Sequence, residues 1–373
     1  MTGYFTLKNY PIHNGYKPDP EIDMAQQQSP NPTITIVGFG IAGQILLLEL
    51  LKSGVKGSEI TVIDKTFLGG DLVTEYGTVL SNTPWWKTKK ALEAYPEYSA
   101  AAIAEGNAEF QDNQCMPVGC IGRLCFSVAE RALKSSDAEV IVTEIQSVHR
   151  TENGAFQLQH RFGTISCAVL FATHGAMPKR LPVELPTIPL SVALDKDLLK
   201  RILNPAKDHV AVIGTAHSGS ILLSHLHTLG IPTTALYRGA KPFRFARDGA
   251  YDGLKECSEQ IADAVLKGEY TKLTLVSLDN FFEAHKALKK ATKAIVATGF
   301  EAKQIQGLPI SYDPVTARLV GWPSAYGFGI AYPGTTTQDG KTYVDVSVLS
   351  FQDQIQRCLP EILNTNKTKL QLH

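Results

Sequence analysis

The sequence predicts an α/β protein with two Rossmann-like halves, on three observations. A short β-branched apolar run, a glycine-rich turn and an apolar helix follow one another twice, at residues 33–52 and 209–229. Each time a second apolar run comes next, residues 60–63 and 233–237, completing a βαβ unit with parallel strands. Two further buried-strand patterns, SCAVLFAT at 166–173 and KAIVAT at 293–298, close the halves with the same Ala-Thr ending.

Size and composition agree. A chain of 373 residues holds two or three domains. An apolar share of 44% and a charged share of 19% suit a folded globular chain and exclude a disordered or collagenous one. Lys+Arg and Asp+Glu are both 36, so no net field favours nucleic acid or an anionic membrane as partner. The expected partner is a small-molecule substrate, and a homo-oligomer stays open. Six cysteines at this length are no secreted disulfide framework, and the first twenty residues lack the charged and apolar regions of a signal peptide. The longest apolar stretch, residues 36–51, falls short of the roughly 20 residues of a membrane span. A cytoplasmic location is expected.

The elements follow in order. Residues 1–32 are a proline-rich polar leader ending in QQQSPNP, read as an extended linker. Ile34–Val37 is a buried strand, 44–52 a helix stopped by Gly54, and 60–63 a strand ending at Asp64. Around the Glu152-Asn153-Gly154 turn, the segments IQSVHR, FQLQHR and TISCAVLF alternate as an antiparallel meander. In the second half, 209–213 is a strand, 220–229 a helix stopped by Gly230, and 233–237 a strand. Residues 273–276 are expected to belong to a second meander.

The chemistry lies in the turns. Gly38-Phe39-Gly40-Ile41-Ala42-Gly43 is a full GxGxxG between strand and helix. Its first glycine permits the tight turn, its second lets backbone approach a pyrophosphate, and its third lets helix and strand pack. The helix N-terminus offers unpaired N–H groups to phosphates. Asp64, 21 residues after Gly43, stands where a carboxylate can accept from both hydroxyls of an adenosine ribose. The second turn, Gly214-Thr215-Ala216-His217-Ser218-Gly219, keeps the outer glycines but has a methyl group in the middle. Its following strand ends in Arg238, with Lys241, Arg244 and Arg247 beyond. An acid there would repel a 2′-phosphate, whereas an arginine binds one, which points to NADPH over NADH.

These motifs, with Leu68-Gly69-Gly70, FATHGAMPKRLP and VATGF, resemble the two-dinucleotide-binding-domain flavoproteins, nearest in look to flavin-containing monooxygenases and N-hydroxylases. The resemblance covers about residues 33–350. It implies an FAD-binding domain at 33–190 and 295–373, the latter with a C-terminal tail, and an NADPH-binding domain inserted at 191–294. Cofactor contacts are expected at Gly38, Gly40, Ile41, Ala42, Gly43, Asp64, Lys65, Gly70, Asp71, Thr173, Gly214, Thr215, His217, Ser218, Gly219, Arg238, Thr298 and Gly299. The stretch from Tyr76 to Asn82-Thr83-Pro84 resembles the family's Asn-x-Pro region. Asn82 would then neighbour the flavin, able to hydrogen-bond a flavin–oxygen adduct. The implied activity is an FAD-dependent, NADPH-using oxidoreductase, as a monooxygenase on a small molecule.

Three departures stand out. The monooxygenase fingerprint before the second turn is missing, His174 replaces a glycine, and Gly327-Phe328-Gly329 stands where the family has Gly-Asp. Two rival readings remain. Cys115 and Cys120, with four residues between them like a redox pair, suit a disulfide or flavin reductase, though they lie well beyond Gly70. The altered motifs suit a low-turnover flavin-binding sensor or interaction protein. Neither histidine spacing nor an HExxH suggests a metal.

Overall fold

The computed structural model describes residues 33–107, 110–243, 246–247, 250–251, 257–338, 341–344 and 346–370; the leader expected at 1–32 lies outside the described residues. Five strands form the first sheet in the spatial order Ala325–Gly327, Val169–Ala172, Ile34–Val37, Ile60–Asp64, Glu139–Val142, every neighbouring pair parallel. Ile34–Val37 and Val169–Ala172 are buried at every residue, because both faces of the sheet are covered. That explains runs with no polar alternation.

Side chains alternate between two cores. Ile34, Ile36, Val169 and Phe171 face the helices Ile41–Lys52, Val118–Lys134 and Val348–Thr365. Val37, Leu170 and Ala172 face the other way, onto Val148, Phe156 and Leu158 of the meander Ile145–Arg150, Phe156–His160, Gly163–Cys167. The single strand expected over 166–173 is in fact two. Ser166 and Cys167 end the meander, Ala168 turns the chain, and Val169 enters the parallel sheet.

The second sheet has the order Leu273–Ser277, Thr233–Tyr237, Val210–Ile213, Lys293–Val296, again parallel throughout. All its strands fall between the fourth and fifth strands of the first sheet in sequence, so it is an insertion, as expected. Leu273–Ser277 is a strand of this sheet and not of a second meander, because it pairs in parallel with Thr233–Tyr237. The chain leaves and returns through Ala176–Pro178 and Phe300–Ala302, which pair antiparallel. Trp85 is 1% exposed inside the first core. Among the described residues, no helix is long and apolar enough to cross a membrane.

The helix of the first glycine turn is tied down by a buried polar network. The Tyr95 hydroxyl donates to Glu49 Oε1 at 2.6 Å, Gln356 Nε2 donates to the same oxygen at 2.8 Å, and Gln352 Nε2 donates to the Tyr95 oxygen at 3.0 Å. Burial and the neighbouring Glu49 raise the Tyr95 pKa well above the usual phenol value. Such a network is costly when one member is removed. Tyr95→Phe should therefore destabilise the chain by about 1–3 kcal/mol in urea unfolding, with the m-value unchanged.

Candidate functional site

Both glycine turns are built by one steric rule. Gly38 has φ +98°, and a Cβ there would stand 2.5 Å from His174 Cα and 2.6 Å from the Thr173 carbonyl oxygen. The turn thus crosses the end of Val169–Ala172 with no room for a side chain. The Thr173 hydroxyl fixes the crossing by donating to the Gly38 carbonyl at 2.6 Å. A Cβ on Gly43 would run into that same carbonyl oxygen, so helix and strand touch through glycine. Gly40 faces open space, and the helix Ile41–Lys52 begins beyond it. Its first N–H groups have no partner within the helix.

The second turn repeats this. Gly214 has φ +104°, with a Cβ position 2.5 Å from the Ala297 carbonyl oxygen, and a Cβ on Gly219 would run into the Gly214 carbonyl. Gly40 and Ala216 adopt nearly one conformation, φ −73° ψ −173° and φ −73° ψ −165°. Ala216 therefore adds a methyl group at the helix start and no backbone strain.

A cavity of about 160 Å³ opens at the first turn, lined among others by Gly40, Asp64, Lys65, Gly70, Asp71, Thr143, His174 and Lys303. Gly70 belongs here sterically, because a Cβ on it would stand 2.8 Å from Gly40 Cα. Phe67 stacks on Phe39, ring centroids 5.1 Å apart, and Phe126 meets both edge-on. Asp64 is heavily engaged. Its Oδ1 accepts from the Thr66 amide at 2.9 Å, the Phe67 amide at 2.8 Å and the Thr66 hydroxyl at 3.2 Å. Its Oδ2 accepts from the Phe39 amide at 2.7 Å. Lys303 Nζ donates to Asp71 Oδ2, and Lys65 Nζ lies 4.0 Å from Asp71 Oδ1.

His174 turns its ring into this wall. Nε2–H donates to the Lys303 carbonyl at 2.9 Å, the ring meets Tyr332 edge-on, and Nδ1 is buried without a partner. Burial pushes its pKa down to about 4. Gly329, in the loop after Ala325–Gly327, packs so closely that a Cβ would stand 2.6 Å from Ala42 Cβ.

At the second turn the Thr215 hydroxyl donates to the Pro242 carbonyl. The His217 ring bridges two elements: Nε2–H donates to the Leu80 carbonyl at 3.3 Å, and Nδ1 accepts from the Ser258 hydroxyl at 2.7 Å. Burial lowers the His217 pKa, which keeps the ring neutral. Ser218 is half-buried at the helix start, and Arg238 is exposed at the end of Thr233–Tyr237. The next amide, Gly239 N–H, donates to Asp279 Oδ2 at 3.0 Å. Arg244 and the side chain of Arg247 lie outside the described residues. The Thr298 hydroxyl is buried with no hydrogen-bond partner, and Gly299 has φ +99°. Asn82 lies on Leu80–Pro84, whose partner strand Cys115–Pro117 places Cys115 opposite Pro84. The Cys115 and Cys120 thiols are not joined, and Cys120 Sγ accepts from Arg123 at 3.3 Å. Lys303 and Ser258 had not been singled out from the sequence.

No protein-family model matches the chain, and no curated protein matches it. Solved structures do. A flavin-containing monooxygenase from Stenotrophomonas maltophilia matches at 14% identity over 89% of this chain and 98% of that one, with a TM-score of 0.61. A bacillithiol disulfide reductase from Staphylococcus aureus matches at 13% identity over 89% and 98%, TM-score 0.55. A thioredoxin reductase from T. acidophilum matches at 13% over 89% and 97%, TM-score 0.51. The fold is that of the two-dinucleotide-binding-domain flavoproteins. The resemblance expected from the glycine motifs is thus borne out as a likeness of fold. These three proteins span oxygen and disulfide chemistry, so the fold does not choose between them.

His174 yields a pH prediction. Its folded pKa lies below the ordinary value near 6.5, so the unfolded chain binds its proton first as pH falls. The stabilising contribution of the neutral ring is complete above about pH 6.5 and is lost as pH falls toward 4. Urea midpoints measured from pH 7 to 4 should decline less steeply for His174→Asn than for the unsubstituted chain.

Proposed function

We propose that the chain is an FAD-dependent, NADPH-using oxidoreductase of the monooxygenase kind, acting on a small molecule. One observation carries this reading. The His217–Leu80 hydrogen bond ties the second glycine turn to the strand Leu80–Pro84, and Asn82 stands two residues along that strand. Two dinucleotides seated on the two glycine turns would direct their reactive ends toward one region of the chain. The fit of such groups rests on Gly40, which faces open space at the helix start, and on Gly38, Gly43, Gly70, Gly214 and Gly219, each of which leaves no space for a Cβ against neighbouring backbone and so holds the turns close to the strand ends.

The first turn, with its Gly-Gly and acid, is assigned to FAD, and the second, with Arg238, to NADPH. Bound there, the two cofactors would supply hydride transfer and the onward passage of electrons. The chain's residues bind and orient. The N–H groups from Ile41 to Gly43 and from His217 to Gly219 face the diphosphates. Arg238, exposed and at the strand end, takes the 2′-phosphate. His217, neutral and held by Ser258, fixes the second helix start against Leu80. Asn82 brings an amide to the reacting region.

A second reading, a disulfide reductase using Cys115 and Cys120, has one specific support: Cys115 pairs opposite Pro84, on the same short ladder as Asn82. The helix Val118–Lys134 carries Cys120 in its first turn.

Two experiments test these readings. The purified chain should bind FAD and consume NADPH under air, with kcat/KM about tenfold or more above that for NADH. Arg238→Gln should remove most of that preference by raising the KM for NADPH. A yellow protein that consumes neither nucleotide would instead be a low-turnover flavin-binding protein. In parallel, Cys115→Ser and Cys120→Ser should leave NADPH turnover unchanged; loss of turnover in either would favour the disulfide reading.

A further inference from the structure

The acid at the end of Ile60–Asp64 is occupied by its own chain. An ionised carboxylate offers about four lone-pair sites, and Asp64 accepts four hydrogen bonds, from Phe39, Thr66 twice and Phe67. Three fall on Oδ1, so a single position remains, on Oδ2. Phe39 lies inside the glycine motif, and Thr66 and Phe67 begin the loop after the strand. Asp64 therefore clasps loop to turn. Accepting from both hydroxyls of a ribose would require breaking that clasp.

The same cavity presents a cation built into its wall. Lys303 is held by its backbone at both ends: its N–H donates to the Gly175 carbonyl at 3.2 Å, and its carbonyl accepts from His174. Its ammonium sits on Asp71, with 28% of the Lys303 side chain and 22% of the Asp71 side chain exposed. Lys65, more exposed at 48%, stands on the other Asp71 oxygen. Gly40, Gly70, Lys65, Asp71 and Lys303 line one cavity, with Glu144 also in its wall. A diphosphate at the start of Ile41–Lys52 brings negative charge beside Asp71 and Glu144. Like charges repel, and a half-buried ammonium fixed by its backbone is the group that can change partner at least cost.

We propose that the first groove recognises its dinucleotide by the diphosphate, through Lys303 released from Asp71, and not by the adenosine ribose through Asp64. This rests on the nucleotide reading of the first turn and adds what that turn selects.

The experiment is a set of titrations on the full chain, read by the fluorescence of bound FAD, so that only the first groove reports. FAD is titrated into the unsubstituted chain, Lys303→Met and Asp71→Asn. Bound FAD is then displaced with ADP, 2′-deoxy-ADP, 3′-deoxy-ADP and AMP. Loss of a charge-assisted bond predicts that Lys303→Met weakens FAD about ten- to a hundredfold. Asp71→Asn, which frees the ammonium, should tighten FAD about threefold or more. The two deoxy nucleotides should displace FAD within about twofold of ADP, and AMP should be much poorer.

Equal weakening by both variants would make the Lys303–Asp71 pair a structural strap and overturn the proposal. So would a tenfold loss in either deoxy nucleotide, or an unchanged FAD affinity in Lys303→Met. If Lys303→Met does not fold, as judged by its melting curve, the sign of the Asp71→Asn effect decides alone. An unsubstituted chain that binds no FAD would instead overturn the nucleotide reading beneath.

Discussion

The architecture depends on a contact in which no side chain is tolerated: the crossing of each glycine turn over the end of a neighbouring parallel strand. At Gly38 the backbone presses on Thr173 and His174, and at Gly214 it presses on Ala297. These crossings bring the start of each helix down to the strand ends of its sheet. Ligands of open α/β sheets bind there, outside the carboxyl ends of the strands. Polar closure follows from the crossings. The Thr173 hydroxyl is spent on the Gly38 and Val37 carbonyls, and Gln44 Nε2 on the Phe39 carbonyl. Near the first turn, His174 Nδ1 and Thr143 Oγ1 are buried without a partner in the wall of the cavity.

The two turns share a backbone and differ in what surrounds it. The first is walled by Gly70, Asp71, Lys65 and Lys303, in a cavity where small residues and charges alternate. The second has a methyl group at Ala216 and a histidine that reaches out of the turn to Leu80. One duplicated steric device thus serves two electrostatic settings. Fold alone would not separate them, and the neighbours in fold space include both oxygen-using and disulfide-reducing enzymes.

Much of the fold was legible because it is local. Ile34–Val37, the glycine turn and Ile60–Asp64 lie within about thirty residues, and burial on both faces leaves an unbroken apolar run. The meander around Gly154 was legible from its alternation. The split at Ala168 was not, since SCAVLFAT reads as one strand until the partners of each half are known. Leu273–Ser277 was misplaced for the same reason, because a five-residue run does not say whether its neighbour runs parallel. In the site, Gly38, Gly43, Gly214 and Gly219 were legible from spacing. Lys303 was not, because its ion partner Asp71 lies more than two hundred positions away. The clasp around Asp64 depends on backbone amides, which no residue type announces.

The insertion has a consequence for the order of events on the ribosome. Strands of the second sheet span residues 210–296 without interruption, so that sheet has all its partners once this stretch has emerged. The first sheet lacks its edge strand until Ala325–Gly327 appears, and the helix Ile41–Lys52 has only the cover of Val118–Lys134 until Val348–Thr365 is made. The N-terminal half must therefore wait, with the helix Ile41–Lys52 incompletely enclosed, for Val348–Thr365. The unit that begins first is the one that matures last.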